Sequence, residues 1–360
     1  MRLCNFIKNP FIFLKGERDY RFDLMKLWAL LSVVLDHSLQ RWVENSRLTQ
    51  LYNFIFLSQM PIFIFVSGFF AFNQIKKLNS FSKKELLLLF VRKILSLLIP
   101  FISYSIIKSF IFNDYSTIYL SFIYPQKSLW FLWTLMWLEI LMLTSQLLSK
   151  SLLIKFTSEI KWVFLSSFII FIFLLSPVFC MFLLKPELFD SKLIIYYSLF
   201  FAFGYAFNYI LNNRKLLNGV ISQITMGCLS TVTLVIVMIT HPVVINDSET
   251  IINMVIRILG SVSSILIIFE MCSFLSKLVF FKTISKFGRL SLEFYYVHLL
   301  LLLIPVLKNY QTNIFVFICL YFLLLITSFT AIMILKACVF TDFICFGKIR
   351  SIQKGKTNNV

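Results

Sequence analysis

Residues 162–184 read WVFLSSFIIFIFLLSPVFCMFLL, from Trp162 to Leu184, without one charged side chain. A helix needs about 20 mostly apolar residues to cross a hydrocarbon layer roughly 30 Å thick, and this stretch is long enough. Runs of the same kind fill the chain on either side of it. Of the 360 residues, 59% are hydrophobic and only 14% charged, and the mean hydropathy is +0.87. No water-soluble core of this size hides so much apolar surface. Barrel strands alternate over ~10 residues, far shorter than these runs. The expected fold class is therefore all-α, a polytopic transmembrane helical bundle.

Apolar runs between polar interruptions predict about ten spans: 22–42, 52–73, 88–110, 129–148, 162–184, 193–211, 218–240, 251–279, 290–307 and 313–338. The eighth is overlong, and the ninth is short with Pro305 near its far end. Basic clusters fall on alternate loops: Arg18 and Arg21, Lys76 with Lys83, Lys150 with Lys161, Arg214 with Lys215, and Lys282 with Lys286. The C-terminal Lys348, Arg350, Lys354 and Lys356 continue the alternation, whereas the opposite loops carry Glu187, Asp190, Asp247 and Glu249. The positive-inside rule then puts both termini in the cytoplasm. Residues 1–20 are expected to lie at the cytoplasmic interface, 21–340 to form the membrane domain, and 341–360 to make a basic cytoplasmic tail.

A net charge of +18 in a soluble protein would point to nucleic acid. Here the cations sit in short clusters that orient helices, so no nucleic-acid partner is expected, only membrane lipids. The cysteines stand singly, several inside apolar runs, without the spacing of a metal site, and no metal is expected.

Ionisable side chains inside a span cost at least ~2.5–3.5 kcal/mol each, so each one present needs a reason. Lys26 and His37 are eleven positions apart in the first span. At 100° per residue that spacing is three turns plus about 20°, which puts both on one face, roughly 16 Å apart. Asp36 diverges from His37 by about 100°, a poor geometry for a dyad, whereas Asp23 at i, i+3 can hold Lys26 charged. Two roles stand open for His37, a packing imidazole bonded to a carbonyl or a functional one, and Lys26 at the inner edge can also snorkel to headgroups.

Five strings carry a resemblance: RFDLMKLWALLSVVLDHS (Arg21–Ser38), MPIFIFVSGFFAF (Met60–Phe72), Arg92 and Lys93 before LLIP (Leu97–Pro100), LWFLW (Leu129–Trp133) and GRLSLEFYYVH (Gly288–His298). In type and order they resemble the acyltransferase-3 family of integral membrane acyltransferases, nearest its fucose 4-O-acetylase-like branch. The first string matches the family's basic residue, ten intervening residues and histidine, and the second its Ser-Gly pair, here Ser67 and Gly68. The resemblance implies transfer of an acyl group, most simply acetyl from cytoplasmic acetyl-CoA, to a hydroxyl of a surface glycan or lipid-linked saccharide, in a bacterial inner membrane.

On that resemblance His37 is the catalytic base or the acyl carrier. Lys26, Arg92 and Lys93, at the cytoplasmic ends of spans one and three, would hold the donor phosphates. Asp23, Asp36, Gln59, Trp130, Glu293 and His298 would contact substrate or support those that do. Three positions depart from the pattern. Asp36 replaces a common glycine, Gln59 replaces the branch's usual histidine, and Ser96 stands where the third-helix motif has a later arginine. A transporter or flippase of a lipid-linked glycan fits the composition equally well, although no internal repeat supports it.

Overall fold

A computed structural model describes residues 19–43, 50–78, 83–153, 160–212, 220–240, 251–304 and 314–348. Residues 1–18 of the interfacial segment expected over 1–20, the loop holding His241, Pro305 and the basic residues beyond 348 lie outside the described residues. Among the described residues there is no strand.

The chain opens with α1 (Tyr20–Trp42), α2 (Gln50–Leu78), α3 (Lys83–Phe112), the short α4 (Ser116–Ile123) and α5 (Trp130–Leu153). It continues with α6 (Ile160–Leu174), α7 (Ser176–Leu184), α8 (Ser191–Asn212), α9 (Val220–Thr240) and α10 (Ile251–Leu275). Last come α11 (Val279–Ile284), α12 (Ser291–Leu302), α13 (Ile314–Ala337) and α14 (Val339–Phe346). Seven of these helices or helix pairs are long and apolar enough to cross a membrane. The remaining expected spans correspond to α1, which carries too many charges for that criterion, α9, with a shorter apolar part, and the 12-residue α12.

The apolar stretch 162–184 is divided between two helices. Leu175 separates α6 from α7, and Pro177 in the first turn of α7 has no N–H to continue the ladder. The overlong eighth segment stops at Leu275, and a turn leads into α11. The segment taken as a tail opens with α14, whose Cys345 and Phe346 are buried.

Burial sorts the helices by neighbour. Ile326, Phe322, Met333 and Ile334 of α13 and Ile172 and Phe173 of α6 are exposed, the apolar faces that acyl chains cover. By contrast, α2 is enclosed on nearly all sides and meets α8 at a crossing made by two glycines. A Cβ on Gly68 would lie 2.0 Å from the Phe201 carbonyl oxygen, and one on Gly204 would lie 2.0 Å from that of Phe65. Only hydrogen fits at either position. Two amides fasten the same helix: Asn208 donates to Phe69 O at 2.6 Å and Gln146 donates to Ala71 O at 2.9 Å.

A second close approach positions α12. The 3-10 turn Ser285–Leu290 crosses α1 so tightly that a Cβ on Gly288 would fall 1.9 Å from the Asp23 carbonyl oxygen. That contact sets the start of α12 beside the start of α1, and the two helices run side by side.

The reciprocal glycine contact makes a stability prediction. Gly204→Ala should lower the melting temperature of the detergent-solubilised protein, with an overpacking penalty of about 1–3 kcal/mol. Ser67→Ala should leave melting nearly unchanged, because the Ser67 hydroxyl bonds only its own helix, to Phe63 O at 3.0 Å. Equal melting of both variants in scanning fluorimetry would contradict the crossing.

Candidate active site

Two histidines from different helices meet near the distal ends of α1 and α12. The His37 and His298 ring centroids are 5.5 Å apart with 34° between the planes. His298 is fully enclosed, at 0% exposure, and His37 is half-buried. The Nδ1 of His298 lies 2.6 Å from the Phe294 carbonyl oxygen one turn back, and its Nε2 has no hydrogen-bond partner. Leu30, Val33, Val34 and Phe63 wall a crevice beside His298 that is too narrow for water.

Asp36 does not turn to its sequence neighbour. Its carboxylate, 4% exposed, accepts hydrogen bonds from Gln59 Nε2 at 2.8 Å and Gln40 Nε2 at 2.9 Å. Gln40 also donates to the Tyr52 hydroxyl at 3.2 Å. Two of the three expected departures are therefore one contact: the acid Asp36 on α1 is met by the Gln59 amide on α2. A carboxylate buried in a bundle needs donors, and the Gln59 amide supplies one without a second charge.

Trp130 is half-buried, with Tyr197 stacked on it at 5.4 Å and 27°. Next to this pair sits a residue that the motif strings do not reach. Arg257 of α10 lies between the rings of Phe56, at 5.2 Å, and Tyr196, at 5.3 Å. Its signal in the sequence is plain, a lone cation inside an apolar segment.

At the other end of α12 is a cavity of about 900 Å³. Arg92, Lys93 and Ser96 of α3, Lys336 at the end of α13, and Asp342 and Lys348 line it. Arg92 is exposed within it, while Lys93 pairs with Glu139. Glu293, at 1% exposure, is held by Lys336 at 3.3 Å and by Lys348. The third departure, Ser96, thus faces a space to which α13 and the C-terminal segment bring lysines. Charge that the third-helix motif lacks is supplied from elsewhere in the chain.

The structure does not gather all the expected site residues. The Lys26 ammonium lies over the Phe70 ring at 5.3 Å and does not line the cavity. The Asp23 carboxylate lies 3.8 Å from Arg289 Nε, where the 3-10 turn presses on α1. What the fold brings together is His37 with His298, Asp36 with Gln59, and Arg92 and Lys93 with Lys336, Lys348 and Glu293. The first and last of these groups are linked by α12, where Glu293 and His298 are five positions apart, a rise of about 7.5 Å.

A double-mutant cycle tests the Asp36–Gln59 pair. Gln59→Leu alone should destabilise the protein by about 1–3 kcal/mol, since a buried carboxylate loses a donor. Adding Asp36→Gly should recover much of that loss in melting measurements, and additive losses would contradict the pairing.

The sequence of residues 19–336 matches the model of a family described as an acyltransferase domain. No curated protein and no solved structure matches the chain significantly. The match spans most of the chain and includes every motif string quoted above. With its long apolar helices, the chain belongs to the acyltransferase-3 family and is a multi-pass membrane acyltransferase.

Proposed function

We propose that this protein is an O-acyltransferase of the bacterial inner membrane that moves an acetyl group from cytoplasmic acetyl-CoA to a hydroxyl of a surface-glycan sugar. The observation that carries the reading is one short helix, α12, whose Glu293 is held by lysines of a cationic cavity and whose His298 meets His37. The alternating basic loops support ten crossings with both termini in the cytoplasm, so the cavity opens on the side where acyl-CoA is made.

Coenzyme A carries a diphosphate and a 3′-phosphate, anions that guanidinium and ammonium groups bind through charge-assisted hydrogen bonds. Arg92 is the best placed for this role, being exposed in the cavity, with Lys93, Lys336 and Lys348 around it. The thioester arm then points along α12 toward the histidines. Lys26 and Asp23 would take part from the inner edge of α1, outside the cavity itself.

His37 acts as general base, since a neutral imidazole ionises near the pH of cells and takes a proton from an attacking hydroxyl. The acceptor oxygen bonds to the thioester carbonyl carbon while the His37 nitrogen accepts its proton. The tetrahedral intermediate then collapses, the carbon–sulfur bond breaks, and the departing thiolate takes the proton back from His37. The sugar enters from the distal face, where Trp130, Gln59 and Asp36 stand. Trp130 offers an aromatic face to the ring, and the Asp36–Gln59 pair offers polar edges.

Membrane vesicles supplied with radiolabelled acetyl-CoA test the reading. The unaltered protein should transfer label to glycan, and His37→Ala should lower the rate at least about a hundredfold. Arg92→Ala should raise the half-saturating acetyl-CoA concentration roughly tenfold, with a smaller change in maximal rate. Glycan movement without label transfer, or full activity in His37→Ala, would refute it.

A further inference from the structure

We propose that His298 is a positioning residue for His37: its unpartnered Nε2 accepts a hydrogen bond from the His37 ring and so fixes which His37 nitrogen is left to take the proton. The inference rests on the reading of His37 as the base and adds to it a second imidazole with a defined task.

The tautomer of His298 follows from its contacts. A carbonyl oxygen only accepts, so the 2.6 Å contact with Phe294 O places the proton of His298 on Nδ1. In a neutral ring the other nitrogen is then a lone-pair acceptor. That atom is buried in a residue of 0% exposure and has no partner. Buried acceptors are rarely left unmatched, which makes an orphan nitrogen beside a mechanism a pointer to a partner that arrives in the working complex.

Few groups are near enough to be that partner. The crevice is walled by the apolar Leu30, Val33, Val34 and Phe63 and by Ser291, seven positions before His298 on the same helix, a rise of about 10 Å. The Tyr295 ring lies 5.9 Å from that of His298 at 61°, and no hydrogen bond joins it to His298 Nε2. His37, at 5.5 Å between centroids, is the group with an N–H to give and a helix that brings it alongside. Catalytic hydrogen bonds are often long in a substrate-free site and tighten when substrate fills it.

The chemistry follows the logic of a base held by a third group, with one difference. A carboxylate would bring a second charge into a dry site, and the adjacent Asp36 is already occupied by Gln40 and Gln59. Neutral His298 orients His37 without that charge. Once His37 takes the hydroxyl proton and becomes cationic, its bond to His298 Nε2 becomes charge-assisted and strengthens in the transition state. His298 keeps its own proton on Nδ1 throughout and passes none on.

The test uses the full chain in native vesicles with radiolabelled acetyl-CoA. His298→Phe removes the acceptor and should lower the maximal rate about a hundredfold, leaving the half-saturating acetyl-CoA concentration unchanged. His298→Gln can place an amide oxygen where Nε2 stood and should stay within about tenfold of the parent. A role in packing alone predicts no rescue by Gln, and that result, or full activity in His298→Phe, overturns the proposal.

Should His298→Phe fail to fold, nitrogen-15 spectra of the parent protein decide the matter. The chain has 3 histidines, so each can be assigned by substitution. The expected spectrum has His298 protonated on Nδ1 and His37 in a single tautomer. A proton on His298 Nε2, or a mixed His37, overturns the assignment. Activity that survives His37→Ala refutes the base reading itself, whereas loss there with full activity in His298→Phe refutes only the positioning role.

Discussion

A helix that carries Arg21, Asp23, Lys26, Asp36 and His37 cannot face acyl chains, and the rest of the bundle is arranged around that fact. Several polar groups on α1 are met by protein. Asp19 caps its start and pairs with Arg21, the turn before α12 brings Arg289 to Asp23, and α2 brings Gln59 to Asp36. Phe70 lies under the Lys26 ammonium, and α12 supplies the imidazole opposite His37. The helices α6 and α13, apolar apart from a terminal lysine and a few hydroxyls, have less such need and take the periphery. Sequence polarity thus decides depth in the bundle, because an unmatched charge in hydrocarbon costs more than close packing returns.

Close packing of backbones makes these meetings possible. Gly68 and Gly204 let α2 and α8 touch main chain to main chain, and Gly288 does the same for the turn against α1. In lipid there is little hydrophobic drive between helices, so van der Waals contact at small residues and side-chain amides on carbonyls carry more of the work. Asn208 and Gln146, both bonded to carbonyls of α2, fit that account.

The helices were legible in the sequence because span length is fixed by the bilayer and charge marks the ends. Pro177 was also visible, yet its effect depends on whether neighbours refill the broken ladder, which composition does not show. The five motif strings located α1, α2, α3, α5 and α12, and the family match agrees with them. Pairings between helices were not legible. His37 and His298 were each identifiable as intramembrane imidazoles, but their meeting depends on the Gly288 contact, a tertiary event. Lys348 reads from sequence as topological charge, and only the fold of α14 returns it to Glu293. Asp36 and Gln59 looked like two unrelated departures until their shared hydrogen bond joined them.

The crevice next to His298 admits no water, and its walls are mostly aliphatic and aromatic, with Ser291 among them. Under the proposed reaction this dryness governs fidelity. A thioester beside an activated base is as open to attack by solvent as by a sugar, and hydrolysis would waste the donor each time the acceptor was absent. Close packing beside His298 leaves no standing water there before the acceptor binds, so turnover waits for the correct partner.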